Sequence, residues 1–142
     1  MTLDEVQEEI ITEFEQLGDW MEKYNYLIEL SKDLAPFDDK DKLPENTIKG
    51  CQSRVWLTAE IVDGNIVFCA DSDAIITKGI IALLVRVLSG KKPAEVMNAD
   101  LYFIDQIGLR QNLSPTRSNG LLAMVKQMKL YALAYNSKLS KE

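Results

Sequence analysis

Apolar residues recur at intervals of three and four near the start of the chain, at Leu3, Val6, Ile10, Phe14 and Leu17, and Thr2 with Glu5 forms a capping-box pattern ahead of them. This spacing predicts a helix over about residues 3–16, broken by Gly18 and Asp19. A second helix follows over about 19–33, with Trp20, Tyr24, Leu27 and Leu30 inward. Pro36, Pro44 and the charge run Asp38-Asp39-Lys40-Asp41-Lys42 then predict an exposed, extended connection over 34–46.

From Val55 the period changes to two. Residues 55–62 and 65–70 alternate around Asp63-Gly64, a hairpin signal. With those two residues as the loop, Ile61 faces Ile66, Ala59 faces Phe68 and Leu57 faces Ala70 on one apolar side. Trp56, Thr58, Glu60, Val67 and Cys69 take the other. An isolated hairpin is marginal, so a short strand over about 46–49 is expected to join it as a third. The rest reads as helix. Asp73 is placed to cap a helix over about 74–89 that is apolar nearly all round, with only Lys78 and Arg86 charged, and such a helix belongs in the core. Gly90 stops it, Pro93 opens a short helix to about 98, and another over about 100–107 ends at Gly108. Ser114 as N-cap and Pro115 at the first helical position open the last, over about 115–137. The expected fold class is α+β: a small antiparallel three-stranded sheet packed against helices, in one domain over 1–142.

The 142 residues carry 16 basic and 22 acidic side chains, a net charge of −6, with no histidine and two cysteines. An acidic chain is a poor partner for a nucleic acid. Without histidine there is no His-based acid–base pair and no His-ligated metal, and two cysteines are too few for a four-Cys zinc site or an iron–sulfur cluster. The start carries Asp4, Glu5, Glu8 and Glu9, unlike a signal or transit peptide, and the longest apolar stretch, 79–85, is too short to span a bilayer. The expectation is a cytoplasmic protein with no membrane partner, its Cys51 and Cys69 present as reduced thiols.

Chemistry concentrates in Ile48-Lys49-Gly50-Cys51-Gln52-Ser53-Arg54. Cys51 follows a glycine that permits a tight backbone and precedes two small polar residues, which puts the thiol on a bend. Lys49 and Arg54 flank it and could favour the thiolate. A reactive role and a small buried filler both remain open on these residues alone. Cys69, mid-strand and without a nearby glycine or base, reads as structural. A second candidate is Ser114-Pro115-Thr116-Arg117-Ser118-Asn119-Gly120. Arg117 places a cation in a first helical turn, and Gly120 interrupts the same helix, so both oppose helix stability. Either Arg117 holds an anion or thiolate while Gly120 admits another backbone, or the pair is a surface ion pair and a packing glycine. Gly79 reads as a close-packing residue. Asp71 reads as exposed. Asp39, Asp41 and Glu45 lack the pattern of a calcium loop, and Gly90-Lys91-Lys92 lacks that of a phosphate loop. Met124 and Met128 read as core.

Gly50-Cys51-Gln52-Ser53-Arg54-Val55-Trp56 resembles the active-cysteine loop of the SufE family of sulfur acceptors, and Leu113-Ser114-Pro115-Thr116-Arg117-Ser118-Asn119-Gly120-Leu121 is similar to that family's second signature. Asp71-Ser72-Asp73-Ala74 and Lys78-Gly79 fit between them. The likeness implies a fold similar to IscU and NifU scaffolds. It also implies a partnership with a SufS-like, pyridoxal-phosphate-dependent cysteine desulfurase. In that role Cys51 is the persulfide carrier, with Gly50, Gln52, Ser53 and Arg117 around it, and the loop tucks the thiol under apolar cover and swings out on docking. Sulfur passes on to an iron–sulfur scaffold, and the desulfurase turns over faster. The carrier is an activator without a cofactor or metal of its own and not an independent catalyst. Asn112 departs from the pattern, since the family often has histidine there. The competing readings are a cluster scaffold, disfavoured by having one loop cysteine instead of three, a thiol redox protein, disfavoured by the lack of a resolving cysteine, and a binding module with an inert Cys51.

Overall fold

The computed structural model describes residues 1–140. Helices α1 (Leu3–Glu15) and α2 (Trp20–Ser31) lead into a hairpin of β1 (Val55–Val62) and β2 (Asn65–Ser72). Then come α3 (Ile75–Leu88), the short α4 (Pro93–Met97), α5 (Phe103–Gln106) and α6 (Leu109–Asn112), and the long α7 (Pro115–Ser140). Helix α1 starts on the predicted capping box, whereas α2 starts on Asp19, expected only as a break in the chain. Thr2 and Glu5 exchange hydrogen bonds of 3.1 and 3.0 Å, and the Asp19 carboxylate accepts from Glu22 N.

The hairpin has the predicted register, with Ile61 opposite Ile66, Ala59 opposite Phe68 and Leu57 opposite Ala70, but the sheet has two strands, not three. The segment expected as a third strand begins in a 3₁₀ turn, Pro44–Asn46. Asn46 donates to Asp41 O at 2.8 Å and the Thr47 hydroxyl to Pro44 O at 2.6 Å, which hold that turn closed. Only Thr47 then bridges to Trp56 before Gly50, at φ +95°, turns the chain away. The opposite edge is covered too: Ile66 exchanges backbone bonds with Gly90 and Lys91, and Ser89 Oγ accepts from Phe68 N. Residues beyond the turn thus do what a third strand would have done for the marginal hairpin.

The predicted connection over 34–46 is tied down more than its charges suggest. It contains a second 3₁₀ turn, Asp39–Asp41, and Lys42 reaches from it to the Asp71 carboxylate at 3.1 Å while lying 5.0 Å from the centre of the Trp56 ring. Asp71 is therefore not an exposed residue. It also meets Lys78 of α3 at 3.1 Å; burial works to raise its pKa, but the Ser72 N–H and the two lysines outweigh that and hold it low. Asp73 does not cap α3 either. Ala74 occupies the N-cap, because the Asp73 carboxylate is already accepting from Arg54 N at 3.0 Å. Gly108, at φ +72°, follows the end of α5 as expected, but α5 fills only part of the range 100–107, and a further turn, α6, that was not expected follows it.

The core is built on α3. Its Ile80, Ile81, Leu83, Leu84, Val87 and Leu88 are buried against Ile10 and Phe14 of α1, Leu27 of α2, the apolar side of the hairpin, and Leu121, Met124 and Met128 of α7. Gln7 of α1 is wholly buried and satisfied, donating to Asp100 O at 3.1 Å and accepting from Phe103 N at 3.2 Å.

Arg86 leaves the largely apolar α3 to grip Glu9 and Glu13 of α1, and Glu13 also accepts from the Tyr26 hydroxyl. The Arg86 guanidinium, helped by Tyr26 and resisted by partial burial, holds the Glu13 carboxyl below the usual carboxylate range. A depressed carboxylate contributes stability that is present above its unfolded pKa and lost as pH falls through its folded one. Glu13→Gln is expected to cost about 1.5–3 kcal/mol at neutral pH and to flatten the fall in unfolding temperature below the ordinary carboxylate pKa. An unchanged acid limb in thermal melts would show that this cluster has no part in acid stability.

Candidate functional site

Residues 49–53 form a loop with both ends fixed. On one side Ile48 N donates to Val55 O at 2.9 Å. On the other, Arg54 is clamped by three bonds: its N–H to Asp73 Oδ1, and its carbonyl accepting from Ser72 Oγ at 2.8 Å and Asp73 N at 3.2 Å. Between these anchors the backbone makes few commitments. Gly50 takes a left-handed φ that L side chains rarely adopt, and a Cβ there would also come to 3.3 Å from Ala123 of α7.

The Cys51 thiol lies against the start of α7 and donates a long hydrogen bond of 3.6 Å to Gly120 O. A Cβ on Gly120 would sit 3.4 Å from that sulfur. The helix-weakening glycine is therefore where the thiol seats itself. Ser114 caps this end of α7, its hydroxyl accepting from Arg117 N and its carbonyl from Ser118 N. Tyr24 of α2 steadies the approach by donating to Asn112 O, at the position where the departure from the family pattern falls.

Around the sulfur is a cleft of about 290 Å³. Ile80 of α3 and Met124 of α7 give it an apolar side; Gln52, Ser53, Thr77, Ser114, Thr116 and Arg117 supply polar groups. Such a volume suits a few atoms or one side chain better than a large cofactor. Among the candidate residues, Cys51, Gln52, Ser53 and Arg117 all line it, while Gly50 stands just outside as the bend. Lys49 and Arg54, read as thiolate-favouring neighbours, are exposed and do not line the cleft. The thiol is half-buried, and that burial pushes its pKa up, opposite to the expected direction. At rest the sulfur is a protected thiol.

Thr77, Ile80 and Met124 were not legible as site residues, and Thr116 stood in the second candidate run without a role of its own. A signal existed for one set: Thr116, Gly120 and Met124 repeat at four-residue spacing and share a stripe with Arg117. Cys69 lies apart, half-buried on the outer side of the hairpin and lining a separate pocket of about 350 Å³. Among the described residues no group of carboxylates and thiols could hold a metal ion, and no helix is long and apolar enough to cross a membrane.

Residues 8–132 match the family profile described as SufE, Fe-S metabolism associated domain. The chain belongs to the SufE family. Over 127 residues it is 42% identical to SufE-like protein 1, chloroplastic/mitochondrial, from Arabidopsis thaliana, a match covering 89% of this chain and 34% of that protein. The chain thus spans about a third of the length of this curated SufE relative. In three dimensions it is similar to the solution structure of a hypothetical protein from Thermus thermophilus, with a TM-score of 0.76, 19% identity and coverage of 93% and 96% of the two chains. At that identity the likeness concerns the SufE fold alone.

Proposed function

We propose that this SufE-family chain is a sulfur acceptor in which Cys51 takes sulfane sulfur from the persulfide of a cysteine desulfurase. The supporting observation is a lone thiol on a glycine-bounded loop, seated in a small cleft that also holds Arg117 and several hydroxyls. The step is an exchange. The Cys51 thiolate attacks the donor's terminal sulfur, the donor's S–S bond breaks, and the donor cysteine leaves as a thiolate that takes up the proton Cys51 gave up. No net oxidation occurs and no histidine or metal is needed. Clearing the donor's persulfide frees it for another turnover, and the new persulfide is passed to an iron–sulfur scaffold, in the cytoplasm on this reading.

Burial and the Gly120 bond keep the thiol protonated between encounters. Docking that draws the loop outward about Gly50 returns the sulfur to water, lowers its pKa toward the ordinary thiol value and exposes the nucleophile. Arg117 faces the same cleft with a permanent positive charge, suited to an anionic persulfide. Arg117→Ala is therefore expected to slow single-turnover sulfur loading by about tenfold or more, the scale of one lost charge-assisted hydrogen bond. Arg117→Lys should recover part of it, and the thermal transition should not change. Loading at the wild-type rate in Arg117→Ala would remove the arginine from the reaction; loss of the folded transition would make it structural.

A further inference from the structure

The face of α7 turned away from the thiol carries a second feature. Leu122, Val125, Leu130 and Leu133, with Met97 of α4, line a groove of about 420 Å³, and Leu122, Leu130 and Leu133 are 50%, 46% and 47% exposed. Lys126 and Lys129 stand among them. Neither has a carboxylate within ion-pair reach among the described residues. Lys129 Nζ donates to Ala99 O at 2.6 Å, which fixes its charge at the groove's edge. Within Pro115–Ser140 there are four basic residues and no acidic one, although the whole chain carries −6.

At about 100° per residue, Leu122, Lys126, Lys129 and Leu133 lie roughly half a turn around α7 from Gly120 and the cleft. The stripe from Leu122 to Leu133 runs for about three turns, or roughly 16 Å. That is the length and spacing of a helix-in-groove site.

We propose that this groove binds an amphipathic helix of a partner protein, apolar on one side and flanked by Asp and Glu that meet Lys126 and Lys129. Charge complementarity selects this occupant. A second copy pairing groove to groove would bring these lysines against their own counterparts. The chain's own acidic helix, α1, buries its apolar side at Ile10 and Phe14 and has none to offer. A flat anionic lipid surface would leave the concave wall formed by Met97 unfilled. Because the groove and the thiol cleft are on opposite sides of α7, the helix can be bound while Cys51 is engaged.

The test measures fluorescence anisotropy of two labelled model helices of about four turns, one with leucines on one side flanked by glutamates and the other by lysines. The glutamate peptide should bind the wild-type chain and the lysine peptide should not. Lys126→Glu/Lys129→Glu should weaken the first by about tenfold or more and bind the second instead. Leu130→Asp should remove binding of either. Lys126 and Leu130 are exposed, so Lys126→Glu alone and Leu130→Asp should keep the wild-type melting transition. Lys126→Glu should by itself weaken the glutamate peptide even if the double variant, which also loses the half-buried bond of Lys129 to Ala99 O, melts earlier. Alkylation of Cys51 should leave binding unchanged. Equal binding of the two peptides, or failure of the charge swap, overturns the proposal. So does association with phosphatidylserine vesicles in place of the peptide, or sedimentation showing self-association that Leu130→Asp abolishes.

Discussion

Replacing Cys51 with serine is expected to abolish sulfur loading completely, whereas Cys69→Ser should load like the unaltered chain. With desulfurase and free cysteine, intact mass should rise by one sulfur atom, removable by reductant, in the wild type and in Cys69→Ser only. The two thiols have similar partial burial but different settings. Cys51 is on a loop held only at its ends, in a cleft with a cation; Cys69 is inside a paired strand, opposite Thr58. The setting of Cys51 should also appear in its pH dependence. Burial raises the Cys51 pKa, so its alkylation rate in the native state should rise with a midpoint above the ordinary thiol value of about 8.5, and the midpoint should fall back to that value in denaturant. Bound desulfurase should accelerate the alkylation of any Cys51 not covered by the complex. Continued labelling of Cys51→Ser would end the assignment. A native midpoint at or below the ordinary value would show that the thiol is activated at rest and that no loop movement is required.

What could be read from the sequence was set by local chemistry. The helices with side-chain caps, the hairpin register and the opening of α7 each depend on residues within a few positions of one another, and these agree between sequence and structure. The third strand did not form because its assignment rested on a general need of hairpins, and that need is met here by Thr47, Gly90 and Lys91 from outside any strand. The Asp73 cap failed for a related reason: an aspartate before a helix has an obvious local use, but Arg54 of the clamped loop competes for it from nineteen residues away. The two anomalies of α7, Arg117 and Gly120, lie on the cleft that holds Cys51. Gly120 does admit a close neighbour, and the neighbour is Cys51. The direction of the thiol's pKa was misjudged because Lys49 and Arg54 are close in sequence but point elsewhere, and burial, which no local pattern encodes, dominates.

Gly79→Ala and Gly120→Ala make the same chemical change within two helices, and they should move stability in opposite directions. A Cβ on Gly79 would lie 2.3 Å from Leu27 O and 2.8 Å from the carbonyl carbon. Those are backbone atoms of α2 and have no rotamer to escape into, so α2 must move off α3, opening the contacts of Leu27 with the core. A cost of about 3 kcal/mol or more is expected, lowering the melting temperature by roughly 10 °C. On Gly120 the three atoms nearest the added Cβ all belong to Cys51, its sulfur first at 3.4 Å, an ordinary contact with a group on a loop that can yield. There the gain in helix propensity, about 1 kcal/mol, should leave the melting temperature equal or higher while the seat of the thiol narrows. Gly120→Ala should therefore fold well and expose Cys51 to alkylation more than the wild type does. If Gly79→Ala melted with the wild-type chain, the close approach of α2 to α3 would be wrong. If Gly120→Ala left Cys51 alkylation unchanged, the glycine would have no bearing on where the sulfur rests.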